Sequence, residues 1–328
     1  MMEQLFTQSF KQEEIHMLRR ICTMICVLGL IAAAASAQTA PGGSGPYPAI
    51  IEGDPGVPGH TIYRPESLSP FSKERPLPVV AWGNGGCANS SQMHANFLVE
   101  IASHGFLVVA IGPFGASGGA TMQGGGTKSA QLLEALDWAT AENARRDSKY
   151  YGKVNPAKFA AAGMSCGGLQ ALEVSPDPRV TTSIIMNSGV LNTPMPQLSP
   201  PKTAPPTGAA PAGPPPKMMM SMPAVGKDTL KRLHAPIFYV IGGEKDIAYP
   251  NAVDDFAKIE SVPVAMANLD VGHGGTYSQP NGGEFGKVAG AWLKWKLKGD
   301  DAAGMMFSGA SCGLCSDAKW KFEKKRIP

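Results

Sequence analysis

Lys158-Phe159-Ala160-Ala161-Ala162-Gly163-Met164-Ser165-Cys166-Gly167-Gly168 is the stretch that decides how the chain is read. An apolar, strand-like run enters a Gly-x-Ser-x-Gly turn, and a helical pattern (Leu169, Gln170, Ala171, Leu172, Glu173) leaves it at once. A sharp strand-to-helix turn needs residues without a Cβ where the flanking backbones close on each other. Gly163 and Gly167 supply that, and Ser165 is then thrust out at the top of a sheet as a candidate nucleophile. Gly-x-Ser-x-Gly also arises by chance in a chain with 39 glycines. The strand before it and the helix after it separate the motif from that background.

Working outward, apolar runs of strand length alternate with helical patterns. Strands are expected at 48–52, 60–64, 78–82, 106–111, 181–186, 236–241 and 264–269, the last of these being the final strand. Helices are expected at 92–103, capped by Asn89 or Ser90, and at 129–142, 251–259 and 284–296. Continuous apolar strands separated by helices predict an α/β fold with a mostly parallel central sheet and helices on both faces. The 328 residues suffice for one large core, and the formal net charge of +3 is too small and too scattered to point to nucleic acid. The basic residues over 319–326 read as a solvated tail.

Two segments stand apart. Arg19 and Arg20 precede an apolar run over 21–35 and the small-x-small sequence Ala35-Ser36-Ala37. This predicts a secretory signal cleaved after Ala37, with no stable membrane span left and a secreted or periplasmic product. Translation could begin at Met1 or at Met17. Residues 38–328 then form a single domain, interrupted at about 192–223 by a Pro-, Ala- and Gly-rich stretch expected to be a flexible insertion. Cys22 and Cys26 leave with the signal, and Cys87, Cys166, Cys312 and Cys315 remain for an oxidising compartment.

In doubly wound sheets, reactive groups gather beyond the carboxyl ends of the strands. A serine nucleophile needs a base, and the base needs an orienting acid. Asp246 follows the strand over 236–241 and His273 follows the strand over 264–269, in the order serine, acid, histidine. Glu244 is a near rival for the acid, and Asp270 could instead hold His273. His60 and His234 precede strands, His94 lies inside a predicted helix and His104 ends one. An oxyanion needs two backbone N–H donors. The first is Cys166, next to the serine; the second is Cys87, with Gly86 as the alternative, after the strand over 78–82. Both donors being cysteines on loops the fold brings together, a Cys87–Cys166 disulfide is expected, and Cys312–Cys315 closes a small loop near the C-terminus. The glycine frame makes Ser165, not Cys166, the nucleophile. No Cys/His cluster has metal-ligand spacing, and the chemistry needs no metal or organic cofactor.

With these residues in place, the chain resembles the α/β-hydrolase superfamily, in its dienelactone hydrolase, chlorophyllase and bacterial cutinase-like polyesterase branch. The matching pieces are Gly45-Pro46-Tyr47-Pro48, Ala102-Ser103-His104-Gly105-Phe106, the turn at Ser165, Asp246 and His273, and the resemblance covers roughly 45–299. It implies a serine esterase acting on a small or polymeric carboxylic ester through an acyl-enzyme. The spacing back from Ser103 places Cys87 at the polyesterases' oxyanion position. The chain departs from them in carrying Cys at both oxyanion positions, where they carry bulky residues, and Met164 where they often carry Trp. Two other readings are a prolyl-oligopeptidase-like peptidase and a non-catalytic binding protein with the same fold.

Overall fold

The computed structural model describes residues 42–116, 126–192 and 223–328. The signal read at 1–37 lies outside them, as do residues 193–222 of the Pro-rich stretch. The described residues belong to one compact unit, Pro41–Pro328.

Among the described residues, β1 (Ala49–Glu52), β2 (His60–Pro65), β3 (Leu77–Gly83), β4 (Leu107–Ile111), β5 (Val154–Met164), β6 (Val180–Met186), β7 (Ile237–Ile241), β8 (Val264–Leu269) and β9 (Trp320–Lys325) form one sheet. Its order is β1-β2-β4-β3-β5-β6-β7-β8-β9. Neighbours from β4 through β8 are parallel. β1, β2 and β9 join antiparallel at the two edges.

The longer helices are α1 (Ala95–Ser103), α2 (Ala130–Ala144), α3 (Cys166–Val174), α4 (Tyr249–Lys258) and α5 (Gly283–Lys298). They cover both faces. Val79 and Ala81 of β3 turn to one layer, against Leu132 and Leu136 of α2, Leu172 of α3 and Phe256 of α4. Val80 and Trp82 turn to the other, against Leu98 and Ile101 of α1 and Trp292 of α5. Successive side chains of a strand point to opposite faces, so burial on both sides demands an unbroken apolar run. All seven residues of β3 and all five of β4 are buried accordingly. The expected mostly parallel sheet with helices on both faces is what the chain forms.

The last expected strand is not the last. The segment read as a solvated basic tail is β9, paired with β8 in a register that runs from Leu269↔Trp320 to Val264↔Lys325. Trp320 and Ile327 are buried, and Phe322 packs on the same apolar layer. The signal was present as alternation in Trp320-Lys321-Phe322-Glu323, but the lysines outweighed it in a reading by charge. At an edge strand, lysines on the outward face are expected because they deter further pairing.

A second difference lies before α1. The expected helix over 92–103 opens as a 3₁₀ turn, Gln92–His94, whose first N–H donates to the Ser90 hydroxyl at 3.4 Å, and α1 proper begins only at Ala95.

Candidate active site

Ser165 joins β5 to α3 with φ 54° and ψ −117°. For a residue with a Cβ this is a strained conformation, held only where the surroundings over-determine it. Here they do. The Ser165 N–H donates to Met186 O of β6 at 2.9 Å, and the Leu169 N–H donates back to Ser165 O at 3.1 Å. The Ser188 hydroxyl donates to the same oxygen at 2.7 Å. The flanking glycines are sterically required: a Cβ on Gly163 would meet Gly167 O at 2.2 Å, and one on Gly167 would meet the Gly83 carbonyl carbon at 2.1 Å. The turn therefore packs directly on the end of β3.

Asp246 and His273 reach the serine from beyond the carboxyl ends of β7 and β8. His273 Nε2 lies 3.0 Å from Ser165 Oγ, and His273 Nδ1 lies 2.6 Å from Asp246 Oδ1. An ionised carboxylate can only accept, so Nδ1 carries the proton and Nε2 is left to accept from the serine hydroxyl. Asp246 is fully buried, which by itself pushes its pKa up. Hydrogen bonds from His273, the Ala248 and Gly242 N–H groups and the Asn187 amide outweigh that burial and hold the carboxyl below its ordinary 3.8. The two loops approach through Gly242. Its carbonyl accepts from the N–H groups of Val271 at 3.1 Å and Gly272 at 2.7 Å, and a Cβ on Gly242 would fall 1.9 Å from Gly272 O.

The rival groups are engaged elsewhere. Glu244 is exposed and pairs with Lys321 at 2.8 Å, while Asp270 lies 3.8 Å from Lys245 at the surface. His60 Nε2 contacts Gln131 O, and His104 pairs with Glu100 at 2.9 Å. His94 is buried against Trp82 and Tyr277, and burial lowers its pKa to about 4. His234 is exposed.

On the opposite side of the serine, Cys87 and Cys166 form a disulfide with their Cα atoms 5.1 Å apart. A second disulfide joins Cys312 and Cys315. Cys87 lies in a 3₁₀ turn, Gly85–Cys87, with φ 50°, and its N–H donates to Asn84 O at 3.1 Å. Its carbonyl accepts from the Thr127 N–H and the Thr127 hydroxyl, each at 3.1 Å. Thr127 is held in turn by the Gln170 amide of α3, at 2.8 Å to its carbonyl and 3.0 Å to its hydroxyl. Helix α3 thus grips the loop after β3 twice, once covalently and once through Thr127. The Met164 sulfur rests on Gly85, where a Cβ would meet it at 2.6 Å. Among the described residues, no group of three or more His, Cys, Asp or Glu side chains could hold a metal ion.

Sequence reading missed Asn187, Tyr277, Thr127 and Gln170. Of these only Asn187 carried a signal, its place directly after the end of β6. Tyr277, Thr127 and Gln170 act through contacts between elements distant in sequence, which no local pattern announces.

A mostly parallel sheet with a strained serine turn between its central strand and a helix, and with Asp and His beyond two later strands, defines an α/β-hydrolase, and that is the class of this chain. Within the class, residues 36–194 match the family model described as PETase, PET hydrolase-like. The resemblance to cutinase-like polyesterases read from the motifs is thereby borne out. No curated protein matches the chain.

Proposed function

We propose that this protein is a secreted serine esterase that hydrolyses carboxylic esters through an acyl-enzyme. The observation that carries the reading is the continuous chain from Ser165 Oγ through His273 to buried Asp246, with contacts of 3.0 and 2.6 Å. Ser165 Oγ attacks the ester carbonyl as His273 Nε2 takes its proton, and Asp246 stabilises the imidazolium. The tetrahedral oxyanion is held by the Cys166 N–H, which follows the nucleophile at the start of α3, and by the turn at Gly86 and Cys87. The Cys87 N–H then shares itself between Asn84 O and the oxyanion, a three-centre arrangement common at helix ends. Gly86 is the alternative donor. His273 returns its proton to the leaving alkoxide. Water, deprotonated by the same imidazole, then cleaves the acyl-enzyme and restores Ser165.

The family's name points to a polyester, and the rim supports an apolar ester. Met93, Phe114, Ile247 and Val271 are exposed on the loops beyond the carboxyl ends of β3, β4, β7 and β8, and Ile247 is 76% exposed directly beside the acid. Large apolar side chains gathered at one edge of a sheet mark a contact surface. The disulfides and the signal-like residues 1–37 support export to an oxidising compartment.

A fluorophosphonate probe tests the reading. Wild type is expected to label and Ser165→Ala is expected not to, with kcat on p-nitrophenyl esters down about a millionfold. An unlabelled wild type would instead favour a binding protein, and labelling that survives Ser165→Ala would move the nucleophile. Release of soluble acid from a polyester film, compared with short-chain p-nitrophenyl esters, decides whether polymers are substrates.

A further inference from the structure

We propose that Asn187 and Tyr277 are positioning residues for the Asp246–His273 pair, locking the carboxylate in the orientation from which it accepts the His273 Nδ1–H. The inference rests on the serine-esterase reading and adds to it a tier of residues behind the acid. Asn187 follows β6, is fully buried, and adopts φ 43°, a left-handed conformation that Asn tolerates better than most residues. Its amide nitrogen donates to Asp246 Oδ2 at 2.6 Å. Its amide oxygen accepts from the Tyr277 hydroxyl at 2.5 Å. The carboxylate settles which way the amide faces: an ionised Asp246 can only accept, so the NH₂ faces it and the amide oxygen is left to accept from Tyr277.

The arrangement closes a ring. Tyr277 lies four residues beyond His273 on the same loop, so that loop meets the acid twice, through His273 on Oδ1 and through Tyr277 and Asn187 on Oδ2. The Tyr277 ring is fixed by edge contacts with Trp82, His94, Phe97 and Phe285. Burial, and then the charge of Asp246, raise the Tyr277 hydroxyl well above its ordinary range, so it donates at every working pH. The other groups around Asp246 are the neutral donors Gly242 and Ala248. Glu244 and Lys245 on its own loop pair outward with Lys321 of β9 and with Asp270. Asn187 is thus the side-chain donor, besides His273, that favours the ionised acid.

The test uses the full chain with Tyr277→Phe, which removes one oxygen and keeps the ring, and Asn187→Asp, which keeps the shape and places an acceptor against the carboxylate. Three quantities are read: kcat and KM on a p-nitrophenyl ester across pH, the rate of fluorophosphonate labelling, and the downfield proton resonance of the His273 Nδ1–H. Tyr277→Phe is expected to lower kcat about tenfold with KM little changed. Asn187→Asp is expected to lower it about a hundredfold. In both, the acid limb of the rate profile moves to higher pH and the resonance shifts or broadens. A structural role alone would lower the melting temperature and leave the pH profile and the resonance in place. Variants that keep wild-type kcat, pH profile and resonance overturn the proposal. If wild type neither labels nor turns over esters, the esterase reading fails, and the resonance still decides whether Asn187 and Tyr277 hold the pair.

Discussion

The two sides of Ser165 are built in different ways. The acid–base side hangs on hydrogen bonds: Asp246 Oδ1 and Oδ2 each accept two, and every donor comes from a loop or a strand end. The side carrying the proposed oxyanion donors is tied by the Cys87–Cys166 bond, reinforced by Gln170 and Thr127. A proton-transferring pair must be free to redistribute charge, and hydrogen bonds allow that at the cost of sensitivity to pH. Backbone donors only have to stay where they are, and a covalent tether keeps them there at any pH, at the cost of sensitivity to reductants. The two sides should therefore fail under different conditions.

The largest break in the comparison comes from Asp246→Asn. It keeps the shape of the acid but reverses the hydrogen-bond sense at His273 Nδ1, favouring the wrong tautomer. A fall of about ten-thousandfold in kcat is expected on p-nitrophenyl esters, with the near-UV spectrum unchanged. Next comes the Cys87→Ser, Cys166→Ser double variant. By chain entropy alone, a bridge closing 79 residues contributes about 4 kcal/mol, against about 1–2 kcal/mol for the bridge closing 3 residues at Cys312–Cys315. Urea midpoints should separate the two double variants in that order. Removing an oxyanion donor outright costs about a hundred- to a thousandfold, so loosening one is expected to lower kcat about tenfold. The acid limb of the pH profile should not move, and removal of Cys312–Cys315 should leave kcat unaltered. A Cys87/Cys166 variant with a shifted acid limb would show that the two sides are not independent.

The smallest effect is on stability against pH. The Asp246 carboxyl is held below its ordinary 3.8 in the folded protein. A depressed folded value means stability that is present above 3.8 and lost as the pH falls through the folded pKa. The difference in urea midpoint between wild type and Asp246→Asn should stay level above about pH 4 and shrink below it. Wild type against the Cys87/Cys166 variant should show no such slope.

Much of the fold was legible because buried parallel strands leave an unmistakable trace. Runs such as Leu107–Ile111 and Ile237–Ile241 are apolar at every position, since both faces are covered. β9 was not legible to the same degree. It is an edge strand, and the lysines that suit an exposed edge are those of a solvated tail. At the candidate site, Ser165, Asp246 and His273 could be named because strand ends are countable in sequence, and each follows one. The choice of Asp246 over Glu244 was a matter of neighbouring residues in one loop. Their environments differ completely, the one fully buried and the other paired with Lys321 at the surface. Asn187 and Tyr277 are 90 positions apart, and their contact has no local signature.

Sequence alone determined the order of strands and helices as far as β8, the turn at Ser165 and the class of chemistry it admits. These follow from local rules: side-chain periodicity, the steric need for glycine at a tight turn, and the pairing of a serine with a later acid and histidine. Tertiary structure decided which carboxylate meets His273, which way the Asn187 amide faces, and how the loop after β3 is held to α3. Those are outcomes of burial and distance between segments far apart in the chain. The desolvation and hydrogen bonding that set them exist only once the sheet has brought the loops to one edge.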